Sequence, residues 1–429
     1  MKRYVLFLAA LLNVIWASAQ YSGSGNGTET DPYLIYNTTQ LYQMNNFLGS
    51  NNAGVVFKLM KDLDLSEFIN DNFPSQGWSP IGVETAPFQG KFYGNNHTLS
   101  GLWINRNSTN NVGLFGYVGK ATIRDLKIES TYVYGSSNVG TLVGYATGAT
   151  ISNCHISGKN VETVKGTYVG GLAGYILGST TITDCRFEGS CIKSSTADSY
   201  AGGFVGYADQ STITSCIANT NINANANTGG ICGCISGRST VENCNYEGGI
   251  TANTNVGGIV GTLNILSEVR FKDSHSKGTI TNTSDYTGGI IGNCNGGCIA
   301  GIESCSHFGD INGKNYIGGI IGAIHKLSDE TIYISTSNTK NTEERKEPSS
   351  RFVTGSDKTP INNCASIGNI NGENHIGGVI GWEEEVLAYN NGTSKILEAS
   401  SSIQEGFLWY GDRYTGKKAK SYSVSNKYG

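Results

Sequence analysis

The segment Val169-Gly-Gly-Leu-Ala-Gly174, followed by Thr181-Ile-Thr-Asp-Cys185, decides the fold, because both parts recur along the chain. The first part recurs as an aliphatic residue or Thr, one or two glycines, two mostly apolar residues and a closing glycine. Nine copies close at Gly116, Gly144, Gly174, Gly206, Gly233, Gly261, Gly292, Gly322 and Gly381. These glycines lie 28, 30, 32, 27, 28, 31, 30 and 59 residues apart. A repeat of this length, kept in register, is typical of a solenoid.

A second column has the same period and carries strand residues. Segments of the Thr181–Cys185 type align without gaps, and the residue three places before the end is apolar in every copy: Leu99, Ile123, Ile151, Ile182, Ile213, Val241, Phe271, Ile302 and Ile361. A position that is always apolar, within short runs rich in Thr, Ile and Val, indicates a buried strand. A unit of a few short strands can bury its apolar face only by stacking on the next unit. The sequence therefore predicts an all-β fold, a right-handed parallel β-helix (β-solenoid) of about 30-residue coils.

The repeat resembles the GLUG-motif repeats of bacterial secreted and surface proteins. Segments such as Gly170–Gly174, alternating with Ile182–Cys185, carry the resemblance over about residues 98–381. Three upstream segments look like the module that often precedes such repeats: Trp78–Gly82, Pro87–Gly90 and Gly94–Thr98. The resemblance implies a right-handed β-helix at the cell surface in an adhesin-like protein, and it supplies no catalytic residues. The sequence has no His-Glu-x-x-His, the motif of a metallopeptidase domain that some relatives carry.

The N-terminus and the charge balance predict an exported chain. Lys2-Arg3 precede the apolar stretch Val5–Ile15 and the small residues of Ala17–Ala19, so we expect a signal peptide over residues 1–19, cleaved after Ala19. The apolar stretch is too short to span a bilayer. The net charge is −4 without a basic block, which argues against nucleic acid as a partner. We expect a secreted or cell-surface protein that is not inserted in a membrane.

The mature chain divides into four predicted parts. They are an N-terminal capping module over residues 20–97, solenoid repeats over 98–322, a charged loop insertion over 323–360, and the last repeats with a degenerate tail over 361–429. Residues 37–49 predict an amphipathic helix that covers the exposed first coil, with Asn37 as its N-cap and Gln40 three residues later. First-coil strands are expected over Val55–Leu65. A partner-binding helix and a partner-contacting loop are the alternatives for the helix and the insertion.

Six cysteines share one column, whose two earliest members are Leu102 and Leu126: Cys154, Cys185, Cys216, Cys244, Cys305 and Cys364. Exchange with Leu predicts a stack of buried, reduced thiols, since parallel stacking does not give the Cβ geometry of a disulfide. The other five lie off the column, with Cys294–Cys298 as a local candidate pair: Cys191, Cys232, Cys234, Cys294 and Cys298. Three histidines follow column positions, but they lie in different coils and neighbouring strand residues point to opposite faces: His155, His275 and His307. No metal site and no cofactor are predicted.

Outward carboxylates and tyrosines are the remaining candidates. Asp125 and Asp184 precede the cysteine column two coils apart, or about 9.6 Å by the strand spacing, which is near the upper limit for an inverting glycosidase pair. Small polar residues recur there in every coil, as a turn column requires, so we predict no catalytic residue. Four tyrosines follow closing glycines: Tyr117, Tyr145, Tyr175 and Tyr207. We interpret them as a packing ladder, with a binding platform for sugars or a protein as the alternative.

The sequence as a whole predicts a non-catalytic, exported, adhesin-like protein. Its repeat surface would be presented to an extracellular glycan or protein, with no catalytic, cofactor-binding or metal-binding residues. Two alternatives stay open. One is a polysaccharide-degrading β-helix enzyme that uses outward carboxylates, and the other is a structural spacer at the cell surface.

Overall fold

The computed structural model describes residues 21–163, 167–194, 197–265, 267–295, 299–325, 361–378 and 380–383. The predicted signal peptide, Cys298, the insertion from residue 326 to 360 and the tail from residue 384 lie outside the described residues. Within them the chain is a parallel β-solenoid, which confirms the predicted fold class.

Two parallel sheets receive at most one strand from each coil. In the described residues sheet 1 has eleven strands: Tyr33–Ile35, Val56–Leu59, Lys91–Tyr93, Thr122–Arg124, Thr150–Ser152, Thr181–Thr183, Thr212–Thr214, Arg238–Glu242, Glu268–Lys272, Ile299–Glu303 and Ile361–Asn362. Sheet 3 has nine in the same ranges: Phe115–Gly119, Val143–Thr147, Ala173–Leu177, Val205–Asp209, Cys232–Ser236, Val260–Leu263, Ile291–Cys294, Ile321–Ile324 and Ile380–Glu383.

Sheet 2 lies between them along the chain, and most coils contribute more than one strand to it. Its described strands are Leu63–Asp64, Thr98–Val112, Lys127–Val139, His155–Thr163, Tyr168–Gly170, Arg186–Ser194, Tyr200–Gly202, Ile217–Asn223, Ala226–Gly229, Asn245–Glu247, Ile250–Ala252, Thr254–Gly257, His275–Lys277, Ile280–Asn282, Asp285–Gly288, Ser306–Phe308, Ile311–Asn312, Asn315–Gly318, Ala365–Ile367, Ile370–Asn371 and Asn374–Gly377. The first strands are long and the later ones short, a difference that shapes the outer surface.

The core is a set of buried columns in register between coils. In sheet 1, Ile151 pairs with Ile123 on one side and with Ile182 on the other, and all three side chains are fully buried. The turn after this strand places its residue in the left-handed region, with φ between 46° and 57°, at Asp125, Asn153, Asp184, Ser215, Asn243, Asp273, Ser304 and Asn363. Asn and Asp tolerate this conformation better than other residues with side chains, which explains the small polar residues of the predicted turn column.

The first copy of the predicted strand column is placed differently. Leu99 pairs with Ile128 in sheet 2, and Phe92 is the residue beside Ile123 in sheet 1. The sequence alignment was therefore wrong for Leu99 and, with it, for Leu102. The cause is a longer turn after Phe92: Asn95 and Asn96 both have positive φ, whereas later coils turn on a single such residue. The other eight members of the column pair in sheet 1 as predicted.

The N-terminal end carries the predicted capping helix. An α-helix over Thr38–Tyr42 continues as a 3-10 helix over Gln43–Asn46. The Asn37 side chain accepts the Gln40 backbone N–H at 2.9 Å, as expected for an N-cap. Strand Tyr33–Ile35 precedes this helix and starts sheet 1, so the helix interrupts the first coils. Three further elements were not predicted: that strand, a 3-10 helix over Ser50–Asn52 and an α-helix over Ser66–Asn72.

The wide gap between the last two closing glycines is an insertion within one coil. Ile361 pairs directly with Ile302 in sheet 1, and Ile380 pairs directly with Ile321 in sheet 3. The coil before residues 326–360 and the coil after them are thus stacked directly on each other. The doubled spacing therefore leaves the register of the solenoid unchanged.

Candidate binding groove

The outer corner of sheet 2 differs between the two halves of the solenoid. Two columns in register flank this corner. The first comprises Ile128, Ile156, Phe187, Ala218, Tyr246, Ser276, His307 and Ser366. The second comprises Val133, Val161, Ile192, Ile222, Ile250, Ile280, Ile311 and Ile370. Four residues separate the columns in the first three of these coils, and three separate them afterwards.

We term the four-residue corners wide and the three-residue corners narrow. The wide corners of these coils are Glu129–Tyr132, Ser157–Asn160 and Glu188–Cys191. The preceding coil continues the columns with Leu99 and Ile104 and also has four residues between them, but its register there is irregular. The change to narrow corners appears as a register shift between Glu188 and Cys191 against the next strand. Such a shift marks a β-bulge, in which an extra residue bends a strand and turns side chains away from the regular ladder.

The last four narrow corners turn on glycine. Gly248, Gly278, Gly309 and Gly368 have φ of 153°, 134°, 144° and 148°. A Cβ on Gly278 would lie 2.0 Å from the carbonyl oxygen of Gly248 in the preceding coil. Only glycine fits this conformation and this close approach. The wide corners place Ser130, Gly158 and Gly189 at the equivalent point, and Ser130 carries a side chain there.

The wide corners line an open groove of about 400 Å³ on the outside of the solenoid. The residues that line it are polar ones and one glycine: Glu129, Ser130, Ser157, Glu188, Gly189, Ser190 and Asn219. Glu129, Ser157, Glu188 and Asn219 form one column in register across four coils. At the N-terminal side the helix over Ser66–Asn72 begins beside this corner, because a Cβ on Gly101 would lie 2.1 Å from the Ser66 hydroxyl oxygen.

The two carboxylates of the groove have different surroundings. Arg186 Nε donates to Glu188 Oε1 at 2.6 Å, and His155 Nε2 lies 3.4 Å from Glu188 Oε2. Partial burial raises the pKa of Glu188, but the hydrogen bonds and charges of Arg186 and His155 outweigh it, so this pKa lies below its usual range. Glu129 is exposed, and no described residue donates a hydrogen bond to its carboxylate. The groove thus offers one fixed and one available anionic acceptor.

Aromatic residues continue from the groove along sheet 2. Tyr132 closes the first wide corner, and its ring stacks on that of Tyr134 with centroids 5.5 Å apart. Trp103 pairs with Tyr132 in register, and all three side chains are partly exposed. Polar groups beside partly exposed aromatic rings are typical of ligand sites.

The tyrosine row that follows the closing glycines is a stacked ladder. Ring centroids lie 4.6 Å apart for Tyr117–Tyr145, 4.9 Å for Tyr145–Tyr175 and 4.8 Å for Tyr175–Tyr207, with interplanar angles of 20°, 9° and 9°. Tyr168 packs edge-on against the last two rings. Each inner ring therefore has both faces covered by its neighbours. This geometry supports the packing interpretation, because a platform for sugars needs free ring faces.

The carboxylates considered for catalysis lie in the turn column and serve structural contacts. Asp125 Oδ2 accepts from Arg124 at 2.7 Å and its Oδ1 accepts from Asn153 at 2.7 Å. Asp184 Oδ2 accepts from the Thr183 hydroxyl at 3.3 Å. Asn153 lies between the two carboxylates, so the structure does not bring them together around an open site.

The cysteine column is buried, as the exchange with Leu predicted. Cys154, Cys185, Cys216, Cys244 and Cys305 are at most 1% exposed, and Cys364 is partly exposed. The ten cysteines in the described part of the chain are all free thiols. The Cys294–Cys298 pair lies outside the described residues, because Cys298 does. His155 points outward beside the inward Cys154, and no group of three His, Cys, Asp or Glu side chains converges on one point within the described ranges.

The groove is not among the features predicted from the sequence, although a signal for it is present. The repeat is defined by its glycines and its strand column, where successive coils are alike. The spacing between Phe187 and Ile192 is five residues, whereas that between Tyr246 and Ile250 is four. Comparing this spacing coil by coil would have identified the wide corners, and with them Glu129 and Glu188.

Known proteins are similar to this chain mainly through the repeat. The family model of the GLUG motif matches residues 165–191, about one coil. A protein of Evansella cellulosilytica, described as a candidate Gly-rich membrane protein, is 33% identical over 158 residues, which cover 34% of this chain and 18% of that protein. Halomucin of Haloquadratum walsbyi is 33% identical over 156 residues, 35% of this chain and 2% of halomucin.

A solved structure is similar over a longer range at lower identity. It is the crystal structure of a protein of Bacteroides ovatus described as a candidate immunoglobulin A1 protease. The identity is 20% and the TM-score 0.44, over 75% of this chain and 84% of that one.

These matches concern part of each protein. The chain spans less than a fifth of the length of the two relatives that it matches in sequence. One of the two relatives is named as a membrane protein, and among the described residues of this chain no helix has the length and apolarity to cross a membrane. The GLUG match and these relatives confirm the resemblance predicted from the repeat: the chain is a β-solenoid that matches the GLUG motif over residues 165–191.

Proposed function

We propose that this chain is a non-catalytic, exported, adhesin-like protein that binds an extracellular glycan or protein through its N-terminal coils. The groove between the wide corners carries the proposal. There the outer surface departs from the repeat, and the column of Glu129, Ser157, Glu188 and Asn219 projects polar groups to solvent. A rigid scaffold that presents a local irregularity is a common arrangement for binding residues.

Two further observations support binding over the alternatives. The oxygens of Asp125 are engaged by Arg124 and Asn153, which suits a turn and not a general acid or base. A spacer needs a regular coil only, so the extra residue in three successive coils has no role in that alternative. The relative named as a Gly-rich membrane protein supports an exported location.

Binding of the mature chain, residues 20–429, to an array of glycans and extracellular matrix proteins tests this function. We expect a saturable and reproducible interaction with at least one component. Repeating the assay without residues 330–355 asks whether the inserted segment contributes, and we expect binding to persist. No binding to any component of the array would overturn the proposal and favour the spacer, whereas cleavage of an arrayed glycan would favour the enzyme.

A further inference from the structure

We infer that the groove binds an unbranched, uncharged glycan that lies along the solenoid axis with one sugar residue per coil. The inference rests on the proposed binding function and specifies its ligand and its geometry. The first observation that supports it is the distance between equivalent side chains of successive coils. Glu129, Ser157, Glu188 and Asn219 recur in register, about 4.8 Å apart as parallel strands are. This interval is close to the length that one pyranose residue adds to an extended chain.

The backbone of the groove favours a glycan over a peptide. An extended peptide gains affinity mainly from main-chain hydrogen bonds to a free strand edge. The strand over His155–Thr163 already pairs on one side with Lys127–Val139 and on the other with Arg186–Ser194. The main-chain groups at the centre of the groove are therefore used between coils. Side chains alone are left for the ligand, and hydroxyl groups of a sugar suit them.

The charges of the groove favour an uncharged ligand. The charge of Glu188 is offset by Arg186, which is hydrogen-bonded to it. Glu129 has no such donor among the described residues, and it would repel a sulfated or uronic-acid chain. A sugar hydroxyl that donates to this carboxylate makes a charge-assisted hydrogen bond, which is about twice as strong as a neutral one. Of the two groove carboxylates, that of Glu129 is thus the one to which a neutral polyol can add a charge-assisted hydrogen bond.

The aromatic side chains supply the second part of sugar recognition. Sugars present an apolar C–H face beside their hydroxyls, and such faces pack on aromatic rings. Tyr132 is the last residue of the first wide corner and Tyr134 follows it closely, with Trp103 next to Tyr132 in register. The stacked ladder of Tyr117 to Tyr207 cannot play this part, because its rings cover one another.

Calorimetric titration of the mature chain with size-graded oligosaccharides tests the inference. The probes are uncharged β-linked oligomers of glucose, mannose, xylose and N-acetylglucosamine, from disaccharide to hexasaccharide, with oligogalacturonates as the anionic set. For at least one uncharged set we expect affinity to rise with each unit up to the tetrasaccharide, which spans the four-coil column, and then to level off. Binding that does not depend on length, or that is strongest for the anionic set, would overturn the inference.

Two matched variants locate the site. Glu129→Gln removes the available carboxylate, and we expect it to weaken tetrasaccharide binding about tenfold, the usual effect of a lost hydrogen bond to a charged group. Glu247→Gln changes the same column at a narrow corner, where Glu247 pairs with Lys277 at 2.7 Å, and we expect no change. Equal effects of the two variants would contradict this placement.

The inference and the proposed function fail separately. Binding on the array, together with no detectable binding of any uncharged oligosaccharide set in calorimetry, would overturn the inference and leave the proposed function unaffected. The absence of binding in both assays would overturn both. Because both substitutions lie on partly exposed or exposed side chains, we expect the two variants to fold like the parent, and their circular dichroism spectra check this.

Discussion

In the coils from residue 127 to residue 194 the outer corner of sheet 2 holds four residues per coil, and from residue 217 to residue 371 it holds three. The core columns on either side continue through both halves without a break. The first half gains a groove with polar side chains. The second half gains tight turns that only glycine fits. One additional residue per coil is therefore enough to change the outer surface while the core stays in register.

The same halves also differ inside. Phe187 and His307 occupy the same inward column, which runs from Ile128 to Ser366. They are its third and seventh members. Both are at most 1% exposed. The Phe187 ring contributes only apolar atoms to the column. His307 Nδ1 lies 2.8 Å from the Ser276 hydroxyl oxygen, whereas His307 Nε2 has no hydrogen-bond partner among the described atoms. In the second half this column thus contains a buried group that can take up a proton, His307, whereas Phe187 cannot.

The largest expected effect comes from a side chain at a narrow corner. Gly278→Ala would place a Cβ 2.0 Å from the Gly248 carbonyl oxygen at a φ of 134°. We expect it to lower the free energy of unfolding by about 3 kcal/mol, the sum of backbone strain and a forced shift of the neighbouring coil. The control, Ser190→Ala at a wide corner, should change it by no more than about 0.5 kcal/mol. Urea unfolding measures both, and equal losses would contradict the distinction between the corners.

Acid should destabilise the second half first. Burial lowers the pKa of His307 to about 4, although the nearby Asp310 charge acts in the opposite direction. An unfolded histidine has a pKa near 6.5. Because the folded pKa is the lower one, the unfolded state takes up the proton first, so stability is complete above about pH 6.5 and is lost as the pH falls towards 4. The loss should be on the order of 3 kcal/mol.

Hydrogen exchange at pH 7 and at pH 4.5 checks this prediction. We expect protection to fall at pH 4.5 around Ser276 and His307 before it falls around Phe187. The variant His307→Gln removes the titrating group and should remove the difference between the two pH values. A variant with unchanged acid sensitivity would exclude His307 as its source.

A moderate effect is expected from the tyrosine ladder of the first half. Tyr175 lies between two rings at 4.9 Å and 4.8 Å, and Tyr175→Ala should cost about 2 kcal/mol, from two ring contacts and partial burial. Tyr175→Phe keeps the stacking and should cost much less. Burial raises the pKa of Tyr145 to about 12, and we expect this pKa to fall towards 10 in Tyr175→Ala because one ring face is then exposed. Ultraviolet titration follows the phenolate directly, and an unchanged titration curve would contradict the ladder.

The smallest effect is expected at the turn column shared by both halves. Asp125→Asn introduces an asparagine, the residue type that already occupies this turn position with positive φ at Asn153 and Asn243. The exposed contact with Arg124 contributes little, so the free energy of unfolding should change by less than about 1 kcal/mol. Release of reducing ends from polysaccharides should be the same in parent and variant. An activity that is present in the parent and lost in the variant would restore the enzyme hypothesis.

The sequence was informative where the repeat is strict. The column around Ile182, the insertion before Ile361 and the buried cysteine stack followed from positions that are alike in every coil, because stacking forces equivalent residues into equivalent surroundings. The N-cap at Asn37 followed from a local capping pattern. These features depend on short-range sequence or on repetition, which can be read without a structure.

The sequence was less informative where a coil departs from the repeat. Leu99 was misaligned because the turn after Phe92 is longer than later turns, and the gapless alignment had no means to show it. The groove was missed because Glu129 and Glu188 are ordinary surface residues in sequence, and they become neighbours along one groove only through the corner bulge and the coil register. Both failures come from small changes in length, one residue at the corner and two in the turn after Phe92, within a column-based comparison.

The central claim, that the extra corner residue creates the binding surface, is tested most directly by removing it. A variant that lacks Thr131, Lys159 and Ser190 converts the three wide corners to the narrow length that five other coils already use. The measurement is its binding to the same glycan and protein array, with circular dichroism and the unfolding midpoint as controls for folding. We predict a folded solenoid whose array binding is lost. Binding equal to that of the parent, in a folded variant, would contradict the account.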